Sequence, residues 1–285
     1  MKILITGANG QLGSELRRQA KCEAAAADLP ELDITNLPQF RSFAALHKPD
    51  AIINCAAYTN VDKCEEDKDA AFAVNALGAR NAAIAAEETG AKLIHMSTDY
   101  VFSGEGATPK REWDMPAPRS VYGYTKLAGE EYARQFCRRH FIVRTAWLYG
   151  YDGNNFVKTI LNAARAGKPL KVVNDQIGNP TNAADLAKHL LRLAETDEFG
   201  TYHCTNNSEC SWYDFAGEFL RLSGLIYSME PCSTDEFPRA AKRPAYSALD
   251  NMMLRLTIGD EMRAWQEAIA EYMSHYNKDT GVFEF

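Results

Sequence analysis

A phenol and an ammonium lie four residues apart in the run Tyr122-Gly123-Tyr124-Thr125-Lys126. At the start of a helix, positions i and i+4 share one face, one turn apart. An isolated tyrosine, with a pKa of about 10, is a poor proton donor at neutral pH. A cation one turn away favours the phenolate and is expected to lower that value. The pair predicts a tuned acid–base group, Tyr122 supplying the proton, wherever a redox cofactor lies beside it. Tyr124 is the rival phenol, but its i+4 residue is Ala128, so it lacks the cation.

A cofactor signal stands near the start of the chain. Ile3-Leu4-Ile5 reads as a buried strand, and Gly7-Ala8-Asn9-Gly10-Gln11-Leu12-Gly13 follows where a helix begins. Gly7, Gly10 and Gly13 permit a tight turn, close backbone approach to a pyrophosphate, and tight helix–strand packing. The helix N-terminus adds free N–H groups and partial positive charge. Asp28 falls where an acidic residue takes the ribose 2′-hydroxyl, about 20 residues on. With no Arg or Lys between Asp28 and Arg41 to meet a 2′-phosphate, local chemistry leans to NADH. Asp33 and Ile34 are either flanks of the adenine or a surface loop. Small residues in Asn54-Cys55-Ala56-Ala57-Tyr58-Thr59 would let a ligand lie against the next strand's carboxyl end.

These groups need a frame, and the hydrophobic pattern supplies one. Strand-like runs at 22–27, 51–55, 92–96 and 141–144 alternate with helical stretches at 36–47 and 66–88 and with the Tyr122 helix. That alternation predicts an α/β fold, a doubly wound parallel sheet with helices on both faces. Beyond residue 145 the pattern loosens into helices at 155–166, 183–194, 211–222 and 261–276, a strand at 171–173, and an irregular stretch at 227–249. The expected division is a dinucleotide-binding domain at 1–150, with 171–200 returning to it. Residues 151–170 and 201–285 then form a smaller, interleaved C-terminal substrate-binding lobe.

Bulk composition narrows the class. The chain has 285 residues, 46% hydrophobic and 24% charged, which suits a protein with a real core. A formal charge of −7 without a basic cluster argues against nucleic acid or anionic membrane as partners. Seven scattered cysteines with no Cys-x-x-Cys pair read as reduced thiols. With no signal-like or spanning segment, the expected compartment is the cytoplasm. The six histidines show no ligand spacing.

Ser97-Thr98-Asp99-Tyr100-Val101-Phe102 follows the fourth strand at the same sheet edge. A hydroxyl there, with Tyr122 and Lys126, completes a set able to polarise and protonate a ketone as hydride arrives. On these motifs the chain resembles the extended short-chain dehydrogenase/reductase family. Arg144-Thr145-Ala146-Trp147, Gly153-Asn154-Asn155-Phe156, Asn174-Asp175-Gln176, Pro180-Thr181 and Arg243-Pro244 extend the resemblance over nearly the whole chain. Within that family it is similar to reductases that convert dTDP-4-dehydro-L-rhamnose to dTDP-L-rhamnose.

The resemblance implies a Rossmann-type fold and an NAD(P)H-dependent oxidoreductase of nucleotide-sugar and polysaccharide synthesis. It implies Thr98 as the hydroxyl member, Tyr122 as proton donor, and Lys126 on the nicotinamide ribose. It implies Gly10, Gln11, Leu12, Ala57, Tyr58 and Thr59 along the cofactor, with Asp99 and Trp147 at the sugar. Such enzymes take NADPH, often NADH too, so either coenzyme is expected; the sequence leaves the oligomeric state open, a homodimer being one option. Members that use magnesium need clustered carboxylates; Thr181-Asn182-Ala183-Ala184 has none, so no metal is expected. Arg243 is either a bidentate partner for the substrate diphosphate or a surface charge. The competing functions are an epimerase or dehydratase of the same fold and a non-catalytic, cofactor-binding regulatory subunit.

Overall fold

The structure, a computed structural model, describes residues 1–284. Its central sheet takes β1 (Lys2–Thr6), β2 (Glu23–Ala27), β3 (Ala51–Asn54), β4 (Lys92–Thr98), β5 (His140–Thr145) and the strand Gly200–His203. All neighbours pair in parallel, in the order β2, β1, β3, β4, β5, Gly200–His203. Strand order reverses about β1 and β3, so the ligand crevice of such a sheet opens at their carboxyl ends.

Alternation along each strand fills both faces. Ile3, Ile5, Ile53 and Ile94 point to one side, against α1 (Gln11–Gln19) and the helix Ala183–Glu195. Leu4, Ile52, Leu93 and Ile142 point to the other, against α2 (Leu37–His47) and buried alanines beyond. α2 starts where Asn36 caps it, its side chain accepting from Gln39 N at 3.1 Å. The alanine run of β2 pairs with β1 from Lys2↔Glu23 to Thr6↔Ala27 as the edge strand.

One long helix was expected over 66–88, and the chain is broken there instead. α3 (Val61–Glu66), α4 (Lys68–Phe72), a π-helical turn (Ala73–Leu77) and α5 (Gly78–Thr89) follow one another. Asp67, at φ −106° and ψ 58°, leaves the helical region and separates α3 from α4. The last helix is also shorter than 261–276, running from Trp265 to Ser274. Ahead of it the backbone is tied to Asn207, whose N–H donates to Arg263 O at 2.8 Å and whose carbonyl accepts from Trp265 N at 3.0 Å.

A second hydrophobic core, with Tyr149, Leu161, Phe215, Phe219, Ile269 and Tyr272, gathers the helices Phe156–Arg165, Trp212–Ser223 and Trp265–Ser274. Leu170–Val173 pairs with Met229–Cys232 in a separate two-stranded sheet. Between these segments the chain crosses back, placing Ala183–Glu195 on α1 and Gly200–His203 beside β5. Among the described residues no helix is long and apolar enough to cross a membrane. All seven cysteines are free thiols, and among the described residues no group of three or more His, Cys, Asp or Glu is placed to hold a metal ion.

Candidate active site

The glycine turn is built by backbone necessity. Gly7 sits at φ +64°, and a Cβ there would lie 2.7 Å from Ala56 N. Only glycine lets the loops after β1 and β3 meet at the crevice. Gly10 caps α1 with no side-chain hydrogen bond, leaving the first N–H groups of the helix to an anion. This cradle fits the diphosphate of a dinucleotide.

Asp28 braces the same turn. Its Oδ2 accepts from Asn9 N at 3.1 Å and its Oδ1 from Leu29 N at 2.9 Å. A cation stands close by: Arg17 of α1 donates through Nη1 to Asn9 Oδ1 at 3.5 Å. It arrives from the preceding helix, outside the stretch between Asp28 and Arg41 that carries no cation. Helical side chains lean toward their own N-terminus, so Arg17 reaches back to the turn. Asp33 holds its own loop, its Oδ1 accepting from Thr35 N at 2.9 Å and Thr35 Oγ1 at 2.7 Å.

The π-helical turn explains the geometry of the Ala57–Thr59 segment. It directs Asn75 so that Oδ1 accepts from Tyr58 N at 2.8 Å while Nδ2 donates to Tyr58 O at 3.2 Å. Nδ2 also donates to Thr125 Oγ1 at 3.1 Å, tying this loop to the tyrosine helix. π-turns inside helices recur at functional sites. The sequence offered one faint signal, an asparagine inside an alanine-rich helix.

α6 (Val121–Phe136) carries Tyr122 in its first turn. Ser120 caps it, its Oγ accepting from Gly123 N at 3.2 Å. A Cβ on Gly123 would sit 2.2 Å from Tyr100 O, so glycine lets α6 abut the 3-10 turn Asp99–Val101. The Tyr100 ring meets Tyr122 edge-on at 5.5 Å between centroids. Thr98 donates to Asp99 Oδ1 at 2.9 Å and accepts from Tyr100 N at 3.2 Å, and it lines the cleft together with Tyr122. Lys126 is buried, and its ammonium donates to Met96 O at 2.5 Å.

Behind Lys126 lies a buried ion pair. Arg144 donates to Glu130 through Nε at 2.8 Å and Nη2 at 2.7 Å, and Ser97 Oγ donates to Glu130 Oε1 at 2.6 Å. Glu130 is the residue four after Lys126. Arg144 and Arg134 keep its carboxylate below the usual range against the opposing effect of burial. The Arg144 of the recognised motif thus points into the protein.

Burial sets the proton affinities of the site. It pushes the Tyr122 phenol up, the nearby Thr98 hydroxyl works against it, and the Asp99 charge adds to it. This corrects the expected lowering by Lys126: loss of water dominates the phenol, and the Lys126 ammonium is engaged by Met96 O instead. Burial also lowers Lys126 to about 8, against the raising influence of Glu130 and Cys55. Asp99 rises to about 6 by burial, against hydrogen bonds from Ser247 and Thr98.

These residues line one cleft of about 810 Å³. Its walls include Gly7, Gly10, Gln11, Leu12 and Gly13 from the first turn and Asp28, Asp33 and Ile34 beyond β2. Ala57, Tyr58 and Thr59 line it after β3, and Thr98, Asp99, Tyr122, Lys126 and Trp147 after β4 and β5. Arg243 is not among the lining residues; its Nη2 donates to Asp62 Oδ2 at 2.8 Å. Tyr124, the rival phenol, is 60% exposed and also stands outside. Among the lining residues to which the sequence reading gave no role are Trp212 and Tyr100. A tryptophan opening an amphipathic helix reads as core, and no local spacing marks it otherwise. Asn155 joins the lobes, donating to Gln11 Oε1 at 3.0 Å and to Gly150 O at 2.8 Å.

Comparison with known proteins places this arrangement in a family. The model of the RmlD substrate binding domain matches residues 1–278. A dTDP-4-dehydrorhamnose reductase of Streptomyces griseus is 41% identical over 280 residues, 94% of this chain and 91% of its own. A solved dTDP-4-dehydrorhamnose reductase of Clostridium acetobutylicum is 51% identical, with TM-score 0.94 over 96% of this chain and 99% of that one. The Bacillus anthracis enzyme of the same name, solved in complex with NADP, is 42% identical, with TM-score 0.94 over 96% and 98%.

Proposed function

Because the chain belongs to the RmlD substrate binding domain family, we propose that it is an NAD(P)H-dependent reductase of dTDP-4-dehydro-L-rhamnose, forming dTDP-L-rhamnose. The observation that carries this reading is the meeting of Thr98, Tyr122 and Lys126 with the glycine turn in one cleft. The cleft would hold a reduced nicotinamide, whose chemistry would be hydride donation to the C4 carbonyl carbon of the sugar.

The residues of the chain do the rest. The N–H groups at the start of α1 hold the diphosphate, and Asp28 faces the adenosine ribose. Tyr122 delivers its phenolic proton to the forming alkoxide. A raised phenol pKa keeps that proton on Tyr122 until negative charge develops in front of it. Thr98 has one proton to give. It turns from Asp99 to the carbonyl oxygen when substrate enters, and Asp99 holds it ready until then. Lys126 takes the nicotinamide ribose, and its positive charge stabilises the phenolate left after proton transfer. NADPH and NADH are both accepted: Asp28 suits a ribose hydroxyl, and Arg17 offers a charge to a 2′-phosphate.

Incubation with dTDP-4-dehydro-L-rhamnose and each reduced coenzyme, followed by nicotinamide absorbance, tests the reading. Steady loss of absorbance with formation of dTDP-L-rhamnose is expected. Product without net coenzyme consumption would identify an epimerase or dehydratase instead. Tight coenzyme binding with no turnover would identify a regulatory subunit.

A further inference from the structure

We infer that Trp212 is a positioning residue for the sugar, acting through Trp147; the inference rests on the reductase reading above. The two indoles stack at 3.6 Å between centroids and 8° between planes, and both line the cleft. They come from different parts of the fold. Trp147 follows β5 two residues after Thr145, which pairs with Thr98. Trp212 is the first residue of the helix Trp212–Ser223 in the second core. The stack therefore joins the sheet edge that carries the reacting groups to the smaller lobe.

Trp147 needs an external support because its backbone is not at rest. It holds φ +46°, a region that bulky side chains rarely adopt and that persists only where surroundings enforce it. Gly178 makes room for the ring: a Cβ there would lie 2.6 Å from Trp147 Cε2. Trp212 is itself fixed. Its helix starts at a capping box in which Ser211 Oγ accepts from Asp214 N at 3.0 Å, and Phe156 packs on the indole at 4.5 Å. The order of dependence runs from the Ser211 cap to Trp212, to Trp147, to the cleft. The apolar wall that results suits the C–H bonds of a deoxyhexose ring, whose hydroxyls point elsewhere.

Three proteins decide it: wild type, Trp212→Ala and Trp212→Phe. Their KM and kcat for dTDP-4-dehydro-L-rhamnose are measured together with NADPH affinity and the exciton couplet of the indole pair in circular dichroism. The expected result for Trp212→Ala is a lost couplet, KM raised about two- to tenfold, and unchanged NADPH affinity. Trp212→Phe keeps an aromatic face and should return KM most of the way. An unchanged KM in Trp212→Ala despite loss of the couplet would overturn the inference while leaving the reductase reading intact. So would a parallel loss of NADPH affinity that Trp212→Phe does not rescue, since that marks a merely structural role. A wild-type protein that does not turn over this sugar would overturn both.

Discussion

The hydroxyl of Thr98 donates to Asp99 Oδ1 at 2.9 Å, so the one proton it can give is held by a buried carboxylate. Burial raises that carboxylate to about 6, well above the ordinary aspartate value near 4. The folded protein thus binds the Asp99 proton more tightly than the unfolded chain does. Stability contributed by this group is greatest at low pH and falls as pH rises from about 4 through about 6. Asp99→Asn is expected to raise stability at pH 7 by up to about 3 kcal/mol, with the gain vanishing near pH 4. Urea unfolding at the two pH values measures it. A variant less stable than wild type at pH 7 would contradict the assignment of a strained carboxylate.

Lys126 loses its proton as pH rises through about 8. With Lys126 on the nicotinamide ribose as proposed, NADPH affinity of the free protein should decline above that pH, since a cation facing an anionic ligand disappears. Lys126→Met is expected to bind NADPH more weakly and to show no such decline. Fluorescence titration of the coenzyme across pH 6–10 would register both effects; a flat wild-type profile would remove Lys126 from the coenzyme site.

Glu130 and Arg144 form a pair with almost no solvent contact. Removing one partner of a buried pair strands the other, at a cost of about 3–5 kcal/mol. Glu130→Gln should therefore lower the urea midpoint strongly. Adding Arg144→Met should cost less than the sum of the single changes, a coupling that a double-mutant cycle reads directly. Additive losses would mean that the two side chains do not depend on each other.

Coenzyme choice should respond to opposite charges at the adenosine end. Arg17→Ala is expected to weaken NADPH about threefold to tenfold while sparing NADH. Asp28→Ala should weaken NADH more than NADPH, because the carboxylate serves a hydroxyl and repels a phosphate. Dissociation constants for both coenzymes, measured without substrate, give the ratio. Equal loss of both coenzymes in Arg17→Ala would reduce it to a surface charge.

The parts of the site visible in the sequence are those whose requirements are local. Gly7, Gly10 and Gly13 answer a backbone demand within one turn, and Tyr122 with Lys126 obeys a single helical repeat. Strands β1, β3, β4 and β5 show because their apolar runs are short and sharply bounded. What could not be read depends on contacts across the fold. The π-turn that aims Asn75 at Tyr58 lies in an alanine-rich stretch whose propensity is uniformly helical. Arg17 and Trp212 reach the cleft only because α1 and the second lobe pack where they do. The direction of the Tyr122 shift was unreadable for the same reason: spacing shows the neighbouring cation but not the loss of water.

The most direct test of the account is Tyr122→Phe, which removes one oxygen from the cleft. NADPH affinity should stay near wild type, while reduction of dTDP-4-dehydro-L-rhamnose should fall by about 10²–10⁴-fold. Turnover close to wild type in this variant, with coenzyme binding intact, would contradict the claim that this phenol delivers the proton.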